Sequence, residues 1–241
     1  MFRALALVGI AFAAPSLPPL TQCPSYESIY DADSLEGFQQ VSYQGEWYVV
    51  AHNEPTEPRF CECDRMTWII DPTGAKFNEN IRAECKAGWA TIPLNLGLSG
   101  TTATNSSLQG YRTEGSPPLA GYIPNMVLYV DQDPEAQAKT GYRYTSAIVY
   151  SCQEHYLFQN VFASLQIFSR DPNPGQDKIN SLIQKAVDLG VNFDPTKMKI
   201  PRQTGCNRPE STTCPAGFCP SGQKCTGGMV GVPGVPAATC A

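Results

Sequence analysis

Histidine is almost missing from this chain of 241 residues, which has only His52 and His155. Neither sits at finger spacing to a cysteine pair, and the closest thiols are a lone Cys61-x-Cys63, so the zinc classes find no support and no metal is expected. No Ser/His/Asp or Cys/His set stands out, and His52 and His155 read as solvated mouth and turn residues. No Gly-rich phosphate loop is present, which removes the nucleotide-binding classes, and no cofactor is expected. No apolar run approaches the length of a bilayer-crossing helix, so no membrane span is expected. Basic charge is scarce as well. With 17 Lys and Arg against 22 Asp and Glu, the net charge is −5 and no basic patch offsets it. Nucleic acid is therefore not an expected partner.

Cysteine, by contrast, is plentiful. Residues 1–13 read as a secretory signal peptide, with Arg3 as the basic head, Ala4 to Phe12 as the apolar run and Ala11-Phe12-Ala13 as the small-x-small cleavage site. All 10 cysteines follow it: Cys23, Cys61, Cys63, Cys85, Cys152, Cys206, Cys214, Cys219, Cys225 and Cys240. An even set behind such a leader predicts disulfides in an oxidising compartment, hence secretion. Cleavage after Ala11 instead would leave Phe12-Ala13-Ala14-Pro15, similar to the Phe-containing junction of plastid presequences in algae with complex plastids. A plastid lumen is the alternative location. The stretch from Pro15 to Asp33 is acidic and lacks any basic residue, which argues for plain secretion.

Residues 14–32 form a lead-in with turn chemistry rather than periodicity, and residues 33–206 a compact domain. That domain holds short runs of strand character bounded by turn residues. They are Glu46–His52, Asp64–Ile70, Lys76–Ala83, Gly88–Ile92, Thr101–Leu108, Met126–Val130, Tyr142–Ser151 and Val161–Ser169. Asp71-Pro72-Thr73-Gly74 reads as a hairpin turn. One helix is legible, Gln176 to Leu189, with Ile179, Leu182, Ile183, Ala186 and Val187 on one stripe. Gly190 stops it at the left-handed cap position. Met198-Lys199-Ile200 reads as a short ninth strand. The fold class is all-β, an eight-stranded antiparallel up-and-down barrel with one C-terminal α-helix packed on its wall. A β-sandwich is the runner-up, which the terminal helix fits less well. Residues 207–241 are a small Cys-rich tail that cannot bury a core and must be stapled if it folds.

Gly45-Glu46-Trp47-Tyr48 at the head of the first strand, with Phe168-Ser169-Arg170-Asp171-Pro172 closing the eighth, resembles the lipocalin family. That resemblance implies that Trp47 plugs the closed end of the barrel and that Arg170 lies across its indole, a cation–π contact of roughly 1–2 kcal/mol. Gly45 would let the entering chain pass close to the floor. Further matches are closest to apolipoprotein D and its relatives. They are Cys23-Pro24, Cys63 with Trp68 and Gly74 downstream, Ala147 to Cys152, and Gln203-Thr204-Gly205-Cys206. Carried over residue by residue, they imply bridges Cys23–Cys152 and Cys63–Cys206. Cys61 and Cys85 are then left to pair between adjacent strands, and Cys214, Cys219, Cys225 and Cys240 among themselves. The family's Thr-Asp-Tyr before the seventh strand appears here only as Gly141-Tyr142-Arg143.

The fold so implied holds one small hydrophobic ligand, such as a fatty acid, sterol or carotenoid, in its cavity. With Trp47 at the floor, alternation sends Val49 and Ala51 inward, Met66 and Ile70 join Trp68, and Ser164, Gln166 and Phe168 share the interior. Asn105-Ser106-Ser107 fits a glycosylation acceptor. More distantly, Trp47 through Asn53-Glu54-Pro55 to Cys63 resembles the lipocalin domain of violaxanthin de-epoxidase, which implies an alternative enzyme acting on an epoxy-carotenoid. Its acid would come from Glu54, Glu57, Glu62 or Asp64, with Glu62 the nearest match to that enzyme's pattern. In a third reading the barrel is scaffold and the Cys-rich tail contacts a protein partner.

Overall fold

A computed structural model describes residues 22–71, 73–102, 110–115, 122–154 and 161–206, with short stretches at 225–226 and 239–240. The signal segment 1–13, Asn105, His155, Cys214 and Cys219 lie outside the described residues. The strands are β1 (Gly45–Asn53), β2 (Cys61–Ile70), β3 (Lys76–Ala87), β4 (Ala90–Thr102), β5 (Tyr111–Gly115), β6 (Tyr122–Asp131), β7 (Ser146–Glu154) and β8 (Val161–Ser169). They close in sequence order into one barrel, with β8 returning to β1. Closure leaves no unpaired edge. The helices are α1 (Ala32–Leu35), α2 (Gln40–Tyr43), α3 (Pro134–Thr140) and α4 (Gln176–Asp188). In the tail, β9 (Cys225–Thr226) and β10 (Thr239–Cys240) form a two-stranded ladder.

Two of the expected strands are corrected. Gly88 is not in a strand but turns the chain between β3 and β4 at φ +62°, and β4 then runs far past Ile92. Pro93, Gly97 and Gly100 within it read as breaks, yet all fall inside one continuous ladder with β3. Thr101 and Thr102 therefore end β4 rather than open a new strand, and β5 begins only at Tyr111. The expected ninth strand contracts to a single bridge between His52 and Lys199.

On the barrel wall, α4 buries Ile179, Leu182 and Ala186 and leaves Val187 outside. Lys185 on α4 pairs with Asp31, whose carboxylate also caps α1 by accepting from Ser34 N–H at 2.8 Å. Disulfides join Cys23 to Cys152, Cys61 to Cys85 and Cys63 to Cys206. The first and third close loops of 129 and 143 residues and tie both ends of the domain to strands. In the chain-entropy view each adds roughly 4–5 kcal/mol by restricting the unfolded chain.

The closed end is a knot of aromatics. Gly45 has φ +100°, a conformation that side chains avoid, and it turns the chain from α2 into β1. Trp47 is fully buried and donates its indole N–H to the Tyr43 carbonyl at 2.8 Å. The Arg170 guanidinium lies 3.6 Å from the Trp47 ring centre and 3.9 Å from that of Tyr142. Its nitrogens donate to the carbonyls of Tyr43, Gln44, Glu46 and Tyr144.

A cavity with an acidic pair at each end

Above that floor, the barrel encloses a cavity of about 420 Å³. Its walls follow from period-two alternation: Met66 on β2, Ile81 and Ala83 on β3, and Leu94, Leu96 and Leu98 on β4 all point in. Among the sequence-predicted positions, Val49, Met66 and Gln166 line it. Ser164 pairs with Ser151, which lines it too. Trp68, Ile70 and Phe168 are buried lower: Trp68 stacks on Phe77, Ile70 pairs with Phe77, and Phe168 packs on Trp47.

Ala51 is not in the cavity, and His52 is not solvated. A bulge between Val49 and Ala51 shifts the register of β1 on β8, so that Ala51 pairs with Ile167 and His52 with Gln166. Directly opposed residues share a face. The extra residue therefore turns Ala51 outward and His52 inward, where it is 2% exposed. A second bulge interrupts β2 between Glu62 and Arg65, with Cys63 in the left-handed region at φ +62°. Such a residue must be held in place. The disulfide to Cys206 and a hydrogen bond from Cys63 N–H to the Arg202 carbonyl, 2.9 Å, hold it. The shift directs Asp64 inward, while Glu62 lies outside and accepts from Arg202 N–H. Glu62 is thereby removed as a candidate acid.

The two bulges and the loop from Glu54 to Phe60 assemble the mouth cluster. Glu57 Oε1 and Asp64 Oδ2 lie 3.5 and 3.6 Å from His52 Nε2. Lys199 Nζ lies 3.1 Å from Glu57 and 3.8 Å from Asp64; the backbone bridge of Lys199 to His52 delivers it there. Burial, then the neighbouring Glu57 charge, raise the Asp64 pKa to about 8, and burial also raises that of Glu57. Asp64 thus keeps a proton and shares it with Glu57, whose carboxylate is paired with Lys199. Burial, followed by the Lys199 charge, lowers His52 to about 4, so it is neutral. His52, Glu57 and Asp64 bring their ligating atoms within 4.8 Å of one another, a set able to hold a cation; the Lys199 ammonium already supplies positive charge at that point.

The second cluster is at the base of the cavity. Glu79 on β3 and Glu114 on β5 both line it and hydrogen-bond to each other. Gly100 on β4 separates these strands; a Cβ there would come within 2.4 Å of the Phe77 ring. Burial raises both carboxyls, Glu79 well above its usual value. The charge of Glu114 adds to the burial of Glu79, while Asn125 and Arg112 offset in part the burial of Glu114. Beneath them Arg112 is fully buried, its guanidinium 4.1 Å from the Trp68 ring and 4.4 Å from that of Tyr43. Among the described residues none of its nitrogens has a hydrogen-bond partner, and neither do Oε2 of Glu79 and Oε2 of Glu114. Each polar atom so buried costs about 1–3 kcal/mol if nothing satisfies it.

Sequence reasoning missed Glu79, Arg112 and Glu114. One signal was present: Phe77, Glu79, Ile81, Ala83 and Cys85 alternate as one inward face, and an acid at an apolar phase position is out of place. Arg112 and Glu114 fell in a strand that the sequence reading did not recognise.

No protein-family model matches the chain, and no curated protein matches it. Solved structures do. Apocrustacyanin C2 superposes with a TM-score of 0.52 at 19% identity, covering 80% of this chain and 94% of that one. H1 crustacyanin from the lobster Homarus americanus gives 0.52 at 18% identity, covering 80% and 94%. Apocrustacyanin C1 gives 0.50 at 20% identity, covering 79% and 93%. The fold is the lipocalin fold. The likeness is one of architecture, and the lipocalin cavity is where the two acidic pairs are found.

Proposed function

We propose that this chain is a secreted lipocalin that binds and carries one small hydrophobic molecule in its barrel. The observation that carries the reading is the cavity itself: about 420 Å³, walled by Val49, Met66, Ile81, Leu94, Leu96 and Leu98, with its polar groups gathered in a few places. A concave apolar space with few, convergent polar groups is the usual form of a small-molecule site. Filling it would remove apolar surface from water at roughly 25 cal/mol per Å². The leader at residues 1–13 and the disulfide-bonded domain support an oxidising, extracellular location. The resemblance to apolipoprotein D relatives points the same way, toward a ligand such as a sterol, fatty acid or carotenoid. The Cys-rich tail at residues 207–241 remains available as a contact for a protein partner.

Native mass spectrometry of the purified chain, with extraction of co-purifying lipid, tests this. One ligand per barrel is expected, and added ligand should quench tryptophan emission from Trp68. Trp89, fully exposed, adds a background that Trp89→Phe removes. A barrel that stays empty with every apolar ligand offered would overturn the reading.

A second reading is favoured by one observation. A protonated Asp64 in an apolar cavity has the attribute that a general acid toward an epoxide oxygen needs. The same preparation, given an epoxy-carotenoid and a reductant, is expected to return the pigment unchanged. De-epoxidised product that disappears in Asp64→Asn would make the protein an enzyme.

A further inference from the structure

Each acidic pair in the cavity already has its own cation, and this restricts the ligand. At the mouth Lys199 lies 3.1 Å from Glu57 and Asp64 retains the shared proton. At the base burial raises the carboxyls of both Glu79 and Glu114, and the Arg112 charge offsets this only in part, without an ion pair. His52 is neutral. At the mouth Lys199 answers Glu57 while Glu54 adds a further acidic side chain to the lining, and at the base Arg112 faces two acids. Among the described residues, no lysine, arginine or histidine lines the cavity. An entering carboxylate would lie beside carboxyl groups with no free cation to meet it. An entering ammonium at the base would have to drive off a shared proton and stand as a second cation near Arg112. A pure hydrocarbon would leave buried Oε2 atoms of Glu79 and Glu114 without a donor.

We infer that the cavity takes an apolar molecule carrying an uncharged hydroxyl, whose O–H donates to one carboxyl oxygen of the Glu79–Glu114 pair at the base of the barrel. The inference rests on the carrier reading above and deepens it by naming the ligand's polar end. The geometry supports it independently of charge. Both acids are at least nine-tenths buried, both face the same cavity, and each presents one oxygen that no protein group satisfies. A hydroxyl replaces a missing hydrogen bond without adding charge. Of the ligand classes the sequence brings to mind, a fatty-acid anion is the one this excludes.

The test uses the full chain and four probes sharing one apolar body: dodecan-1-ol, dodecanoate, dodecylamine and dodecane, titrated at neutral pH by tryptophan quenching and calorimetry. Dodecan-1-ol is expected to bind at least tenfold more tightly than dodecanoate or dodecylamine, and several-fold more tightly than dodecane. Dodecanoate or dodecylamine binding as well as the alcohol would overturn the inference while leaving the carrier reading intact. Dodecane binding as well as the alcohol would do the same. If none of the four binds, both readings fall. A Glu79→Gln/Glu114→Gln double variant, checked for folding by circular dichroism, leaves Arg112 as the only charge at the base. It should move the preference toward dodecanoate by tenfold or more, and an unchanged order of affinities in the folded variant would refute the role of the pair. Should the variant fail to fold, the wild-type panel decides alone.

Discussion

Arg170 and Arg112 flank the same aromatic floor, and Tyr43 touches both. Arg170, on the outer side, stacks on Trp47 and gives its donors to the carbonyls of Tyr43, Gln44, Glu46 and Tyr144. Burial lowers its pKa to about 9, yet each of its three nitrogens has a carbonyl acceptor. Arg112, on the cavity side, stacks on Tyr43 and Trp68, and among the described residues no nitrogen of it is hydrogen-bonded. The same residue type, with the same kind of aromatic contact, is finished structure on one side and unfinished on the other. Satisfied polar networks specify a fold, whereas unsatisfied ones beside a cavity mark a place where something else is meant to bind.

The contrast can be broken by substitution. Arg170→Met takes a donor from four buried carbonyls, of which only that of Tyr43 keeps the Trp47 indole N–H, and is expected to destabilise the domain by roughly 3–5 kcal/mol. Urea unfolding would show it as a large drop in midpoint; a small one would mean that the plug is not held by Arg170.

An intermediate effect belongs to the mouth. The Asp64 carboxyl has a folded pKa of about 8, raised above its ordinary 3.8. Between those values the folded protein holds a proton that the unfolded chain releases, so this contribution is full below the lower value and is lost as pH rises through the upper. His52, lowered from 6.5 to about 4, runs the opposite way over its own interval, since the unfolded chain binds the proton first. In Asp64→Asn the first dependence vanishes and the second remains. The stability difference, wild type minus variant, should therefore fall between pH 5 and 8 at a rate up to about 1 kcal/mol per pH unit. A flat difference would show that Asp64 is ionised in the fold.

The smallest expected change in stability sharpens the comparison most. Arg112→Met keeps an unbranched side chain in the aromatic slot and lets both Glu79 and Glu114 take protons, so unfolding should shift by no more than about 1 kcal/mol. If it cost as much as Arg170→Met, Arg112 would be structural too and the difference between the two sides would disappear.

Much of this architecture was legible along the chain, and the errors have local causes. Trp47 and Arg170 stood in a motif, and α4 carried an unbroken stripe. β4 was obscured because Pro93, Gly97 and Gly100 interrupt its propensity, while ladder pairing with β3 overrides propensity. His52 was misplaced because a bulge has no residue signature here: nothing in Val49-Val50-Ala51 announces an extra residue, and one is enough to invert every later side chain.

By itself the sequence determined what is local or periodic: the strand and helix stripes, the glycine turns, the Trp–Arg plug and a cysteine set suited to cross-linking. The stripes and turns depend on neighbours within a few residues, so a linear reading can reach them, while the plug was reached through the resemblance of its two short motifs. Only the tertiary structure decided which residues face the cavity beyond the bulges, and that Asp64 meets Glu57 and Lys199. It alone brought Glu79 and Glu114 together across β4, over Arg112. Those proximities arise from register and barrel closure, and the protonation states follow from the low dielectric that closure creates.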